Sequence, residues 1–219
     1  MNPRWRIAAP LAFALALSVL MMASAAVAPA GAAEQEETGP LFLPVIARPP
    51  SYTPGVNTLA GYVQKGPFVQ GTEITVRELD NTLTPTGRTF TGQIEDNTGR
   101  FSVRGTLAYP FVELAADGFY FNEITGSLSA APITLRALAD LHDGLAINVN
   151  LLTHLEYARV LALVDGGLSL AEAKAQAQQD VLAMFNLAGS AIGNSETLDI
   201  AQEGAGNAIL LAVSVILQG

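Results

Sequence analysis

Near Ile147 the spacing of apolar residues changes from a period of two to a period of about 3.6, and a chain with that single switch folds as a β part followed by a helical part. Before the switch, short runs of β-branched and aromatic residues alternate with Gly and Asn/Asp turns. The pattern predicts strands at 58–64, 72–79, 88–95, 100–105, 110–116, 120–124 and 133–138. Ile74 and Val76, then Phe101 and Val103, alternate as a sheet with one buried face requires. Asp96-Asn97-Thr98-Gly99 carries hairpin-turn chemistry between Ile94 and Phe101. It lacks the alternating acidic ligands and terminal Glu of a calcium loop.

After the switch, Leu151, Leu152, Leu155, Ala158, Arg159, Leu161, Ala162 and Leu163 form a helical stripe, capped by Asn148 or Asn150 and ended by Gly166-Gly167. Ser169-x-x-Glu172 is a capping box that opens a second, Ala-rich helix, so the two make an α-hairpin. A Gly/Asn/Ser loop at 189–195 leads to a third helix at 205–217. Its segment Ile209 to Leu217 is apolar nearly all round, which predicts burial on most sides by this chain, a partner or a further domain.

At the N-terminus, Arg4 and Arg6 precede an apolar run from Ile7 to Val27 and small residues through Ala33. This is the order of a secretory signal peptide, with Ala-x-Ala exits at Ala26-Val27-Ala28 or Ala30-Gly31-Ala32. The run is also long enough for an uncleaved anchor, and either reading places the remainder outside the cytoplasm. No cysteine is present, so neither a lipobox thiol nor a disulfide framework is available, and stability rests on a packed core. Residues 34–57 are rich in Glu, Pro and Gly and read as an extended linker. Its apolar island, Leu41-Phe42-Leu43-Pro44-Val45-Ile46, serves docking or surface retention in one reading and packs on the next domain in the other.

Without Arg4 and Arg6 the chain keeps 9 Lys and Arg against 20 Asp and Glu, a net charge of −11. Phosphate backbones are repelled by a surface of that sign, which argues against nucleic acid as a partner.

No catalytic constellation is visible. Gly-x-Ser-x-Gly is absent, neither His142 nor His154 is paired with a nucleophile by any motif, and no glycine-rich phosphate loop precedes a helix. His154 and Glu156 are two apart, so on a helix they point about 200° away from one another and cannot share an ion. No metal site, cofactor or enzyme activity is therefore expected. The best candidate binding surface is Phe119, Tyr120 and Phe121, because aromatic faces stack on sugars and peptides, with Asn122 and Glu123 beside them as hydrogen-bonding groups. Alternation lets at most two of the three aromatics share a face, which consigns at least one to the core.

Gly61-x-Val63-x-x-Gly66-Pro67-x-x-x-Gly71-x-x-Ile74-x-Val76, then Thr98-Gly99-x-Phe101-x-Val103, then Ala116-Asp117-Gly118-Phe119-Tyr120, resembles the carboxypeptidase regulatory-like family of transthyretin-type β-sandwiches. The resemblance implies an accessory module of the kind attached to peptidases, transporters and adhesins, without catalytic residues of its own. The chain departs from that pattern at 119–126, an insertion-like strand pair. In this it resembles a group of bacterial secreted proteins in which such a sandwich feeds directly into helices.

The expected fold is α+β: an antiparallel β-sandwich, transthyretin- or Ig-like with about seven strands, over 58–141, followed by a small α-helical bundle over 142–219 that is truncated at its C-terminus. Three functions remain open. The first is a non-catalytic secreted or cell-surface module that binds or displays a polysaccharide, a peptide or a neighbouring surface protein. The second is a structural spacer, and the third is the N-terminal accessory part of a larger secreted hydrolase or peptidase.

Overall fold

The structure is a computed structural model and describes residues 52–218. The signal or anchor segment and the linker with its island at 41–46 lie outside the described residues, apart from the linker's last few positions. The elements run β1 (Gly55–Gln64), β2 (Glu73–Leu79), β3 (Pro85–Gln93), β4 (Arg100–Leu107), β5 (Phe111–Gly118), β6 (Ile133–Asp140), β7 (Val149–Asn150), α1 (Leu151–Asp165), α2 (Leu170–Met184) and α3 (Ala205–Ile216), with a 3-10 turn at Ser195–Thr197. The fold is α+β. One sheet has the order β4-β1-β7 and the other β3-β2-β5-β6.

Strand pairing is antiparallel except where β7 runs parallel to β1. In β4 buried and exposed residues alternate along the whole strand, as its Phe101 and Val103 predicted. Leu59, Val63, Phe101, Val103 and Leu107 of the first sheet share one core with Ile74, Val76, Val112, Leu114 and Leu135 of the second. Large side chains buried this fully contribute roughly 1.5–3 kcal/mol each. The turn at 96–99 forms as expected: Ile94 bridges to Phe101, and Thr98 donates its backbone N–H and its hydroxyl to Asp96. Those bonds hold the Asp96 carboxyl down at about 2.

A second cluster places α1 and α2 on the outer side of the four-stranded sheet. Val160 packs there with Leu170, Ala173 and Ala177 of α2 and with Leu79 and Leu138 of the sheet. Ala173 and Ala177 are fully buried, so the small side chains of the Ala-rich helix bring it close to its neighbours.

Both helix starts follow their capping residues. Of the two candidates for the first, Asn150 is the cap: its side chain accepts from the Thr153 N–H at 3.0 Å. Its amide also donates to the Ser195 carbonyl at 2.7 Å. Asn148 instead accepts from the Tyr62 N–H at 2.9 Å and ties β1 to the helix approach. Ser169 and Glu172 make the reciprocal capping box. Asn150→Ala is expected to cost about 2 kcal/mol, since it also strips a buried carbonyl of its donor, and Ser169→Ala about 1 kcal/mol; urea unfolding at constant slope reads both.

One local expectation needs correction. No strand spans 120–124. Tyr120 and Phe121 make only isolated bridges, to Phe68 and Leu128. The Asn122 side chain accepts from the N–H groups of Ile124 and Thr125 at 2.8 and 2.9 Å, which turns the chain at the point where a strand would have continued. The parallel strand β7 was not foreseen, because two residues carry no period. Among the described residues α3 is covered on one side: Leu210, Val213 and Ser214 are buried, while Leu211, Val215 and Ile216 face outward.

Candidate functional site

Within Ala205–Ile216 there is no charged residue. One face of α3 enters the main core through Leu210 and Val213, with Ile209 packed against it. The opposite face stays apolar and uncovered among the described residues: Leu211 and Val215 are each 38% exposed, Ile216 60% and, just past the helix, Leu217 48%. Ala208 and Ala212 are exposed between them. Contiguous exposed apolar surface on a folded domain marks a place of association.

A buried polar knot fixes α3 in this orientation. Lys65, just past β1, donates to the Ser214 carbonyl at 3.1 Å and pairs with Glu123 at 3.3 Å. It also reaches the Gln218 side-chain oxygen and lies 5.3 Å from the centre of the Tyr120 ring. The Ser214 hydroxyl sits between the Lys65 carbonyl and the Glu123 carboxylate. Gln218 donates to the Tyr120 hydroxyl at 3.3 Å, and Tyr120 stacks on Phe68 with ring centres 6.3 Å apart. A charged pair this well buried holds its elements in one arrangement, because losing either partner leaves the other charge stranded.

The segment 119–123 therefore divides. Phe119 is exposed, Tyr120 is buried in the knot, Phe121 is half-buried, Asn122 caps the turn and Glu123 pairs with Lys65. These residues do not form one aromatic platform; their turn braces α3. The same turn carries the exposed Ile124 and Leu128.

Sequence reasoning missed Lys65, Ser214 and Gln218. Ser214 did carry a signal, as the lone polar residue in an apolar helical run, which needs a partner when buried.

In comparisons with known proteins, the chain matches no family model, no curated protein and no solved structure.

His154 and Glu156 of α1 face different neighbours. Burial, with Arg136 of β6 nearby, lowers the His154 pKa. Glu156 accepts from the Ser195 hydroxyl at 2.6 Å. Burial pushes its carboxyl up to about 7; the Ser195 hydrogen bond opposes the rise and the charge of Glu196 adds to it. Among the described residues, no group of three His, Asp or Glu side chains is placed to hold a metal ion, and no helix is long and apolar enough to cross a membrane.

Proposed function

We propose that this chain is a non-catalytic, exported module for binding or display, and that it docks on a neighbouring surface protein through the outward face of α3. The observation that carries the reading is the uncharged apolar face of Leu211, Val215, Ile216 and Leu217, held outward by the Lys65–Glu123 knot. Among the ligand classes a module of this kind takes, a protein surface is favoured over a polysaccharide, because of the cluster Phe119, Tyr120 and Phe121 only Phe119 is exposed, so no stacking platform forms there. Export is supported by the charged, apolar and small-residue order of the first 33 residues. A transthyretin-type sandwich of the carboxypeptidase regulatory-like kind is the proposed fold family. Its support is the single core between two antiparallel-rich sheets, together with glycines where the chain turns or crowds.

The double variant Leu211→Glu/Ile216→Glu tests the reading. Both positions are exposed, so its stability should change by less than about 0.5 kcal/mol. Added to cells of the source, the signal-free wild-type chain should bind saturably and the double variant should stay in solution. Equal binding of the two would refute docking through this face.

A second reading has the same face covered by further polypeptide of a larger secreted hydrolase or peptidase. Sequencing the gene past Gly219 separates the two: a continuing frame that encodes a domain able to pack on α3 favours the second.

A further inference from the structure

Away from α3, a cavity of about 120 Å³ opens between α1, α2 and the 3-10 turn. Glu156 comes from α1, Lys174 and Gln178 from α2, Ser195 and Glu196 from the turn, and Asp143 from the connection after β6. Glu156 and Glu196 are 4% and 5% exposed. Buried carboxylates are costly unless paired, so how each is satisfied shows what the cavity lacks.

Lys174 pairs with one oxygen of Glu196, and the other is buried with no hydrogen-bond partner among the described residues. Ser195 donates to one oxygen of Glu156, and among the described residues no hydrogen bond reaches the other. Gln178 has spent both amide protons, on the Ser195 hydroxyl at 2.9 Å and on the Gly193 carbonyl at 3.0 Å. Asp143 adds a further carboxylate at the exposed edge. Three carboxylates thus line a cavity that holds one ammonium group, and acceptors outnumber protons. What such a cavity lacks is positive charge delivered with N–H donors. A metal ion is the poorer complement, since no three of these groups are placed around a common point.

We propose that this cavity binds the terminal ammonium group of a small organic amine, with Glu196 and Glu156 as its acceptors. The ligand brings the protons that the two buried carboxylates lack, and Lys174 keeps Glu196 in place by holding its other oxygen. Ala171 and Ala175, small and exposed, line the cavity on the α2 side and leave it open. Because Glu156 keeps its proton up to about pH 7, and the groups facing it are Lys174, Glu196 and Asp143, binding competes with that proton and tightens as pH rises.

Calorimetric titration of the full chain with propylammonium tests this. The expected result is saturable one-to-one binding, at least tenfold tighter at pH 8 than at pH 5.5 because the competent ionised fraction grows. Affinity should fall at least tenfold in Glu196→Gln and in Ala171→Leu. The second variant fills the mouth without removing a charge, so it remains informative if the first does not fold. Nα-acetyl-lysine amide separates the sources: binding as tight as propylammonium assigns the cavity to a peptide lysine, weaker binding to a free amine. Equal binding of 1-propanol, no loss in Ala171→Leu, or no binding at millimolar propylammonium at pH 8 would each overturn the proposal.

Discussion

Gly61→Ala is expected to destabilise the fold by about 4 kcal/mol, at the upper end for single substitutions, whereas Gly71→Ala is expected to cost only about 1–2 kcal/mol. Both glycines stand in the same stretch of sequence, but they do different things. A Cβ on Gly61 would lie 1.9 Å from the Ile147 carbonyl oxygen and 2.6 Å from its carbon. Backbone cannot swing aside as a side-chain tip can. Around that point Ile147 donates to the Ala60 carbonyl at 2.8 Å and Ala60 donates to Leu145 at 3.1 Å, so β1 and the approach to β7 are laced together on either side of the glycine. A methyl group there prises α1 away from the first sheet. Gly71, with φ +86° and nothing among the described residues within 4 Å of its missing Cβ, resists alanine through its backbone angle. Urea unfolding of both variants should show the threefold difference in cost; equal costs would contradict the close packing at Ile147.

Glu156→Gln is expected to stabilise the protein at pH 8 by about 3 kcal/mol while leaving it nearly unchanged at pH 4.5. Glu156 holds its proton to about pH 7 in the folded chain, against an ordinary value of 4.5. Between those values the native state binds more protons than the unfolded state, so stability falls as pH rises through the window and is level above it. Glutamine keeps an oxygen for the Ser195 hydroxyl and never ionises. The difference between variant and wild type isolates this group from the other carboxylates, some of which, such as Glu172 and Asp180, are shifted down and act below the window. Unfolding curves at pH 4.5, 6 and 8 should diverge steadily. Parallel pH dependence of the two proteins would mean that Glu156 is ionised in the fold.

What was readable from the chain alone is what short-range chemistry decides. Ser169 and Glu172 cap a helix through bonds three residues apart, and the switch of period at Ile147 lies four residues before α1 begins at Leu151. Alternation forced at least one of Phe119, Tyr120 and Phe121 inward, and Tyr120 is the residue that went. The unread parts depend on distant partners. The Ile147 carbonyl meets Gly61 across 86 residues, and Ser195 finds Glu156 across 39. Nothing local distinguishes Gly61 from Gly71, or shows that Lys65 closes on Ser214. The hydrophobicity of α3 likewise announced burial without saying which face would be covered. The packing of Leu210 and Val213 and the knot at Ser214 select it together, and that knot joins the end of β1, the 119–129 turn and the third helix.

The most direct measurement places a photoreactive aromatic residue at Val215, on the outward face of α3, and in a second protein at Arg104, an exposed position on β4. Both are exported in the source cells and irradiated. The docking account predicts a discrete adduct at Val215 that is absent at Arg104 and lost when Leu211→Glu is added. No adduct at Val215, or the same products at both positions, would contradict it.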